Sequence, residues 1–347
     1  MNLRTVLIRA IALAIILWAA FQPGAPLNPN PGPQTTSAPS ASAPTTVSTS
    51  AATPAAATAT AVPATATLLS NLTPAATSPV DSSEAIRFAV IGDYGSDTKE
   101  EEAVAEMVKG WQPDFIITVG DNNYSVGARV TIDRNIGQYY HEYIYPYEGE
   151  YGEGADINRF FPVLGNHDWI TSKAKAYLDY FNLPGNERYY DFVWGPVHFF
   201  AVDSDANEPD GIGVSTLQAT WLRSALGAST SAWNIVYMHH APYSSSDVHG
   251  SIKAIQWPYQ DWGADAVLSG HDHVYERILQ DGFPYFVNGL GGRSRYDFGE
   301  VVPGSEVRYQ DNFGAMLVEA SEDSVLFEFY ALEDDSPTLI DSYTITR

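Results

Sequence analysis

The chain has 347 residues and no Cys, and its 42 acidic residues outweigh 18 basic ones for a formal charge of −24. The missing cysteines exclude disulfides, thiolate metal ligands, cysteine nucleophiles, iron–sulfur clusters and a lipoprotein anchor. The acidic balance argues against nucleic-acid binding, which runs through Lys and Arg on phosphates.

Residues 1–25 read as a signal peptide or an N-terminal membrane anchor, because Arg4 and Arg9 precede an uncharged apolar stretch that ends at Phe21. About a dozen apolar residues is the length of a signal-peptide core and is short for a membrane span. Trp18, Phe21 and Pro23 interrupt the places where a small-x-small cleavage site would fall. A cleaved leader and a tether through residues 4–21 therefore both stay open. Residues 26–82 are almost all Ala, Thr, Pro and Ser, with no charge before Asp81. Such a stretch cannot build a core and reads as a disordered stalk. The expected location is secreted or extracytoplasmic.

All 42 acidic residues and 16 of the 18 basic ones follow Val80. Residues 83–347 are enough chain for one large α/β domain, here the expected catalytic domain. Residues 88–91 read as a strand, 97–111 as a helix capped by Asp97, and 115–119 as a second strand, together a βαβ unit. Residues 131–145 read as a Tyr-rich helix and 160–164 as a third strand. Paired strands at 189–194 and 197–203 flank Gly195-Pro196, and 216–226 has helical spacing. Strands follow at 234–239 and 266–269. Beyond Tyr275 the pattern turns to hairpins, at 284–287, 316–320, 324–330 and 339–345. The expected architecture is an α/β (α+β) sandwich, two mixed β-sheets flanked by helices.

Five apolar runs end on the same kind of residue: Gly92-Asp93, Gly120-Asp121, Gly165-Asn166-His167-Asp168, His239-His240 and Gly270-His271-Asp272-His273. Ligands in such sheets gather beyond the carboxyl ends of the strands. Carboxylates and imidazoles at one edge point to a metal site, and so many donors suggest two ions. Asp93 and Asp121 supply carboxylates, with Asp121 placed to bridge. Asn166 offers a neutral oxygen, and His271 and His273 alternate so that both can face the site.

In this order, the motifs resemble those of the calcineurin-like metallophosphoesterases over residues 86–292. Within that superfamily the chain looks most like the purple acid phosphatases of tartrate-resistant type. The common Asp-x-His of the first motif is missing, since Gly95 follows Tyr94, and Tyr124 stands where the purple enzymes carry a tyrosine ligand. The stretches from His271 to Arg277 and Asn288-Gly289-Leu290-Gly291-Gly292 resemble that subgroup too. The resemblance implies one ion on Asp93, Asp121, Tyr124 and His273, and a second on Asp121, Asn166, His240 and His271. His240 is preferred to His239 because the family turn is His-x-Pro, matching His240-Ala241-Pro242; His239 then reads as a supporting histidine.

The same resemblance implies a metal-dependent phosphatase acting on small phosphate monoesters. Two cations about 3.5–4 Å apart would activate a water as hydroxide, and His167, steadied by Asp168, would hold phosphate or protonate the leaving oxygen. A tyrosinate favours iron(III), with iron, zinc or manganese as the divalent partner. His249 is a candidate phosphate contact. Arg293 and Arg295 either lean over the site or cover surface. A phosphodiesterase or nucleotidase on this fold, and a noncatalytic metal-stabilised binding domain, are the rival readings.

Overall fold

The computed structural model describes residues 85–347. The expected leader and stalk, residues 1–82, lie outside the described residues.

Two mixed sheets stack face to face. In the first, β1 (Ile86–Ile91), β2 (Phe115–Thr118) and β3 (Phe160–Pro162) run parallel. In the second, β4 (Tyr190–Trp194) pairs antiparallel with β5 (Val197–Ala201), and β5, β6 (Trp233–Tyr237) and β7 (Ala266–Ser269) run parallel. β8 (Tyr275–Gln280), β9 (Phe283–Asn288) and β10 (Ser305–Tyr309) complete the second sheet in the order β10-β8-β9-β7-β6-β5-β4. β11 (Gly314–Ala320), β12 (Ser324–Glu333) and β13 (Ser336–Thr346) complete the first, as β13-β12-β11-β1-β2-β3. The expected mixed two-sheet architecture is therefore the one observed.

Aromatic residues fill the space between the sheets. Phe88 lies edge-on to Phe199 at 5.0 Å, and Phe115 lies 4.8 Å from Trp194. β2 and β7 are buried along their whole length, which is why they read as continuous apolar runs rather than alternating ones. On the outer side of the second sheet, Phe200, Val202 and Met238 pack with Leu222 and Leu226 of the helix Leu217–Ala228.

The β1–β2 crossover helix is Lys99–Gly110, capped by Thr98, whose Oγ1 accepts from the Glu101 N–H at 3.1 Å. Asp97, the expected cap, is instead in the left-handed region at φ 54° and pairs with Arg134 at 3.1 Å. The expected helix over 131–145 is broken into Arg129–Ile132, a wider π turn Asp133–Gly137, Gln138–Tyr140 and a 3₁₀ turn His141–Tyr143. That wide turn aims Asn135 inward, where its Nδ2 donates to the Gly95 carbonyl at 2.8 Å and the Tyr124 carbonyl at 3.1 Å. A π turn in this place supports the loops of the site.

Hydrogen bonds also tie the two sheets together at their carboxyl edges. Asn288 Nδ2 donates to the Val90 carbonyl at 2.8 Å, and His239 Nδ1 donates to the Val119 carbonyl at 2.8 Å. The ends of β1, β2, β3, β6 and β7 thus meet at one place.

Candidate metal centre

Three non-glycine residues where those strands end have left-handed backbone: Asp93 at φ 55°, Asp121 at φ 53° and His271 at φ 69°. Each costs about 1–2 kcal/mol relative to the right-handed region, and such strain collects at functional sites. Here it turns each side chain back toward a common point. Gly120, at φ 89°, leaves room for an imidazole, because a Cβ there would lie 2.6 Å from His239 Nδ1.

One group of donors forms around Asp93. Its Oδ1 lies 3.2 Å from the Tyr124 hydroxyl and 3.3 Å from His273 Nε2, which are themselves 3.2 Å apart. All three residues are buried. A side chain at position 95 would run into the Asn122 carbonyl, so Gly95 can offer no donor, and the Tyr124 phenol stands in this group instead. His273 is held behind by Ser294, whose Oγ is 2.7 Å from Nδ1, and by Tyr296, stacked on its ring at 4.1 Å. Burial, reinforced by Asp93 and Asp121, holds the Tyr124 phenol far above its usual range. A cation beside it would reverse that preference.

A second group forms around His239. Its Nε2 lies 3.0 Å from Asn166 Oδ1, 3.2 Å from His271 Nδ1 and 3.4 Å from Asp121 Oδ1. With Nδ1 donating to the Val119 carbonyl, Nε2 faces an amide oxygen, a carboxylate and another imidazole; against burial, Asp121 and Asp93 raise the pKa of the ring, so the place favours positive charge. Acceptors crowd together in this way when a cation is to lie among them. Asp93, Asp121 and His239 offer donor atoms that all lie within 4.8 Å of one another. The donor set, nitrogen and oxygen atoms with no thiolate, fits metal ions.

His240, the ligand expected from the His-x-Pro turn, stands to the outer side of this group, its ring 4.3 Å from that of His271. Its Nδ1 pairs with Ser204 Oγ at 3.0 Å, and burial lowers its pKa to about 3. The reason is strand alternation. Ile235 and Tyr237 face the space between the sheets, while Val236 and Met238 face outward. His239 continues the inner side and His240 the outer one. That alternation was present in the sequence, and it outranks the turn motif.

Asp168, expected to steady His167, makes its hydrogen bonds elsewhere. Its Oδ2 accepts from the Gly165 N–H at 2.9 Å, the Asn122 N–H at 3.1 Å and Asn122 Nδ2 at 2.9 Å. Burial raises its carboxyl to about 6, against the pull of those donors. It clamps the loop that carries Asp121 to the loop that carries Asn166. The His167 ring is oriented by the Ser125 carbonyl, 2.6 Å from Nδ1. Its Nε2 lies 3.9 Å from Asp121 Oδ2, and the ring is partly exposed beside Tyr124 at 4.5 Å. His249 is exposed and stacks on the His271 ring at 4.1 Å. Asn122, Asn135 and Ser294 carry no motif of their own, and their supporting places were not legible beforehand.

This edge of two sheets, with carboxylates, imidazoles and one phenol gathered around Asp93 and Asp121, has the makeup of a metallophosphoesterase site. The calcineurin-like phosphoesterase family matches residues 86–275, more than half of the chain. The chain belongs to that family, and it is a hydrolase of the phosphatase type. Tartrate-resistant acid phosphatase type 5 of Mus musculus is 25% identical over 260 residues, covering 63% of this chain and 76% of that protein. Purple acid phosphatase 17 of Arabidopsis thaliana is 24% identical over 293 residues, covering 73% and 82%. Among solved structures, the purple acid phosphatase PPD1 of yellow lupin (Lupinus luteus) seeds superposes with a TM-score of 0.60 at 17% identity, over 78% of this chain. This chain spans 55% of the lupin protein. GAP50, the anchor in the inner membrane complex of Plasmodium, superposes with a TM-score of 0.57 at 21% identity, over 76% of this chain and 89% of that one. The family and the buried Asp93, Asp121 and His239 group together imply two metal ions.

Proposed function

We propose that this protein hydrolyses phosphate monoesters outside the cytoplasm, secreted or tethered through residues 4–21, with residues 83–347 as the catalytic domain. The observation that carries the reading is the pair of donor-atom groups on either side of Asp121, which lies 3.4 Å from His239 Nε2 and also faces the Tyr124 phenol. One ion would lie on Asp93, Asp121, Tyr124 and His273, the other on Asp121, Asn166, His239 and His271. When bound, two such cations lower the pKa of a water and offset charge on the phosphate. The phenol of Tyr124 favours iron(III) in the first place, with a divalent iron, zinc or manganese in the second.

The chain's own groups supply the rest. His167 keeps its Nδ1 proton on the Ser125 carbonyl; a second proton, at Nε2, would let the ring donate to a phosphate oxygen. The same Nε2 proton can pass to the leaving alcohol. A noncatalytic metal-stabilised domain has no use for an exposed histidine beside its donors. His249 closes the other side of the mouth. A phosphodiesterase or nucleotidase would use the same centre, and rates on aryl phosphate mono- and diesters distinguish the two. Faster turnover of the monoester, abolished by chelation, is the expected result; diester turnover alone would overturn it.

A further inference from the structure

The domain disfavours anions, because 41 of the 42 acidic residues lie in it against 16 basic ones. Its substrate, on the reading above, is itself an anion. Something local must offset that field.

Arg293 stands where such a charge is needed. Its backbone N–H donates to the Asp93 carbonyl at 3.1 Å, which fixes it at the first donor group. Its guanidinium lies 4.9 Å over the ring of Tyr124, the ring that packs 4.5 Å from His167. Its neighbours Ser294 and Tyr296 hold His273. The segment after β9 thus wraps the mouth of the site, and Arg293 is exposed there. Arg87, Arg129, Arg134, Arg188 and Arg277 each pair with a carboxylate. Arg293, like Arg159, Arg223, Arg295, Arg308 and Arg347, has no such partner among the described residues; of these, it is the one stacked on Tyr124 at the donor groups. A guanidinium stacked on an aromatic ring keeps its edge N–H groups free, and their fork matches two oxygens of a phosphate.

We propose that Arg293 is a specificity-determining residue that binds the terminal, doubly charged phosphoryl group and so selects monoesters over diesters. The proposal rests on the phosphatase reading. A monoester dianion offers the fork two charged oxygens, whereas a diester carries one negative charge and a second ester oxygen in its place. Truncating Arg293 then raises KM for monoesters and leaves kcat nearly as it was, because binding is lost in ground state and transition state alike.

The full-length, metal-loaded protein is the material for the test, as wild type, Arg293→Met and Arg293→Lys. Two readouts are needed: steady-state kinetics on an aryl phosphate and a bis-aryl phosphate, and calorimetric binding of inorganic phosphate. Arg293→Met is expected to raise the monoester KM and weaken phosphate binding by about tenfold or more. The diester kcat/KM should stay within about twofold, and Arg293→Lys should recover part of the loss. Unchanged monoester KM and phosphate affinity overturn the proposal. So does an equal fall on both esters without recovery by Lys, which marks Arg293 as a prop for Tyr124. If the wild type turns over neither ester, the phosphatase reading fails, and the phosphate-binding comparison still decides whether Arg293 is an anion site.

Discussion

His239 Nε2 stands 3.0 Å from Asn166 Oδ1, across the seam between the two sheets. Neither atom carries a proton when the ring is neutral, because the Val119 carbonyl holds the proton on Nδ1. Two lone pairs at that separation repel unless a positive charge lies beside both. His240, one residue on, has a hydroxyl partner in Ser204 and no such need. His239→Ala is therefore expected to lose one of two ions and to lose more activity than the roughly 10–100-fold that removal of a supporting residue costs. His240→Ala should keep both ions, as read by elemental analysis of the purified variants. The reverse order would restore His240 as the ligand.

Asp121 faces both donor groups, 3.4 Å from His239 and adjoining Tyr124 and His167. Asp121→Ala should bind neither ion tightly, whereas Asp93→Ala should retain one. Metal titrations of the two variants would contradict the bridging role if both kept a single tight site.

Asp168 touches no position where substrate would sit, yet it clamps Asn122 to Gly165. Asp168→Asn keeps the shape but presents an amide to donors that need an acceptor. Metal affinity should fall about 10–100-fold, while excess metal restores most of the activity. Activity that stays lost at saturating metal would instead give Asp168 a direct part in the reaction.

Tyr124 supplies a phenol where Gly95 supplies nothing. Bound to iron(III), a phenolate gives a charge-transfer band and a violet colour. The iron-loaded protein should be coloured, and Tyr124→Phe should bleach it with the fold intact by circular dichroism. A coloured Tyr124→Phe variant would remove Tyr124 from the ligand set.

Glu101 tests the frame behind the site. It is buried, its Oε2 accepts the Ser96 N–H at 2.8 Å and the Asp97 N–H at 2.6 Å, and its Oε1 has no partner. Burial, opposed by those donors, raises its carboxyl well above 4.5. Such a group holds its proton more tightly folded than unfolded. It therefore favours the fold below the unfolded value and loses that contribution as pH rises past 4.5. Glu101→Gln has no such slope, so its Tm relative to wild type should improve from pH 4 to pH 7. A constant difference across that range would mean that the carboxyl ionises normally.

Much of this was legible in the sequence because strands buried on both faces write themselves as apolar runs, and the residue after each run is forced to the sheet edge. Phe115 to Val119 before Gly120-Asp121 is such a case. β10 was not legible: Ser305–Tyr309 alternates between half-buried and exposed with no apolar face, and only its pairing with β8 makes it a strand. The break in the helix after Arg129 depends on distant partners, since Asp133 accepts from the hydroxyls of Tyr147 and Tyr180, each at 2.7 Å. The His-x-Pro turn points to His240, whereas the two-residue period of the strand carries His239 to Asp121. The partner of His167 could not be read at all, because a backbone carbonyl carries no residue signature.

Two ions sharing Asp121 set how metal content and activity move together. Two ions per chain are expected in the fully active protein, with loss of turnover on chelation and recovery only as the second equivalent of metal returns. Full activity at one ion per chain, or activity that survives complete removal of metal, would contradict it.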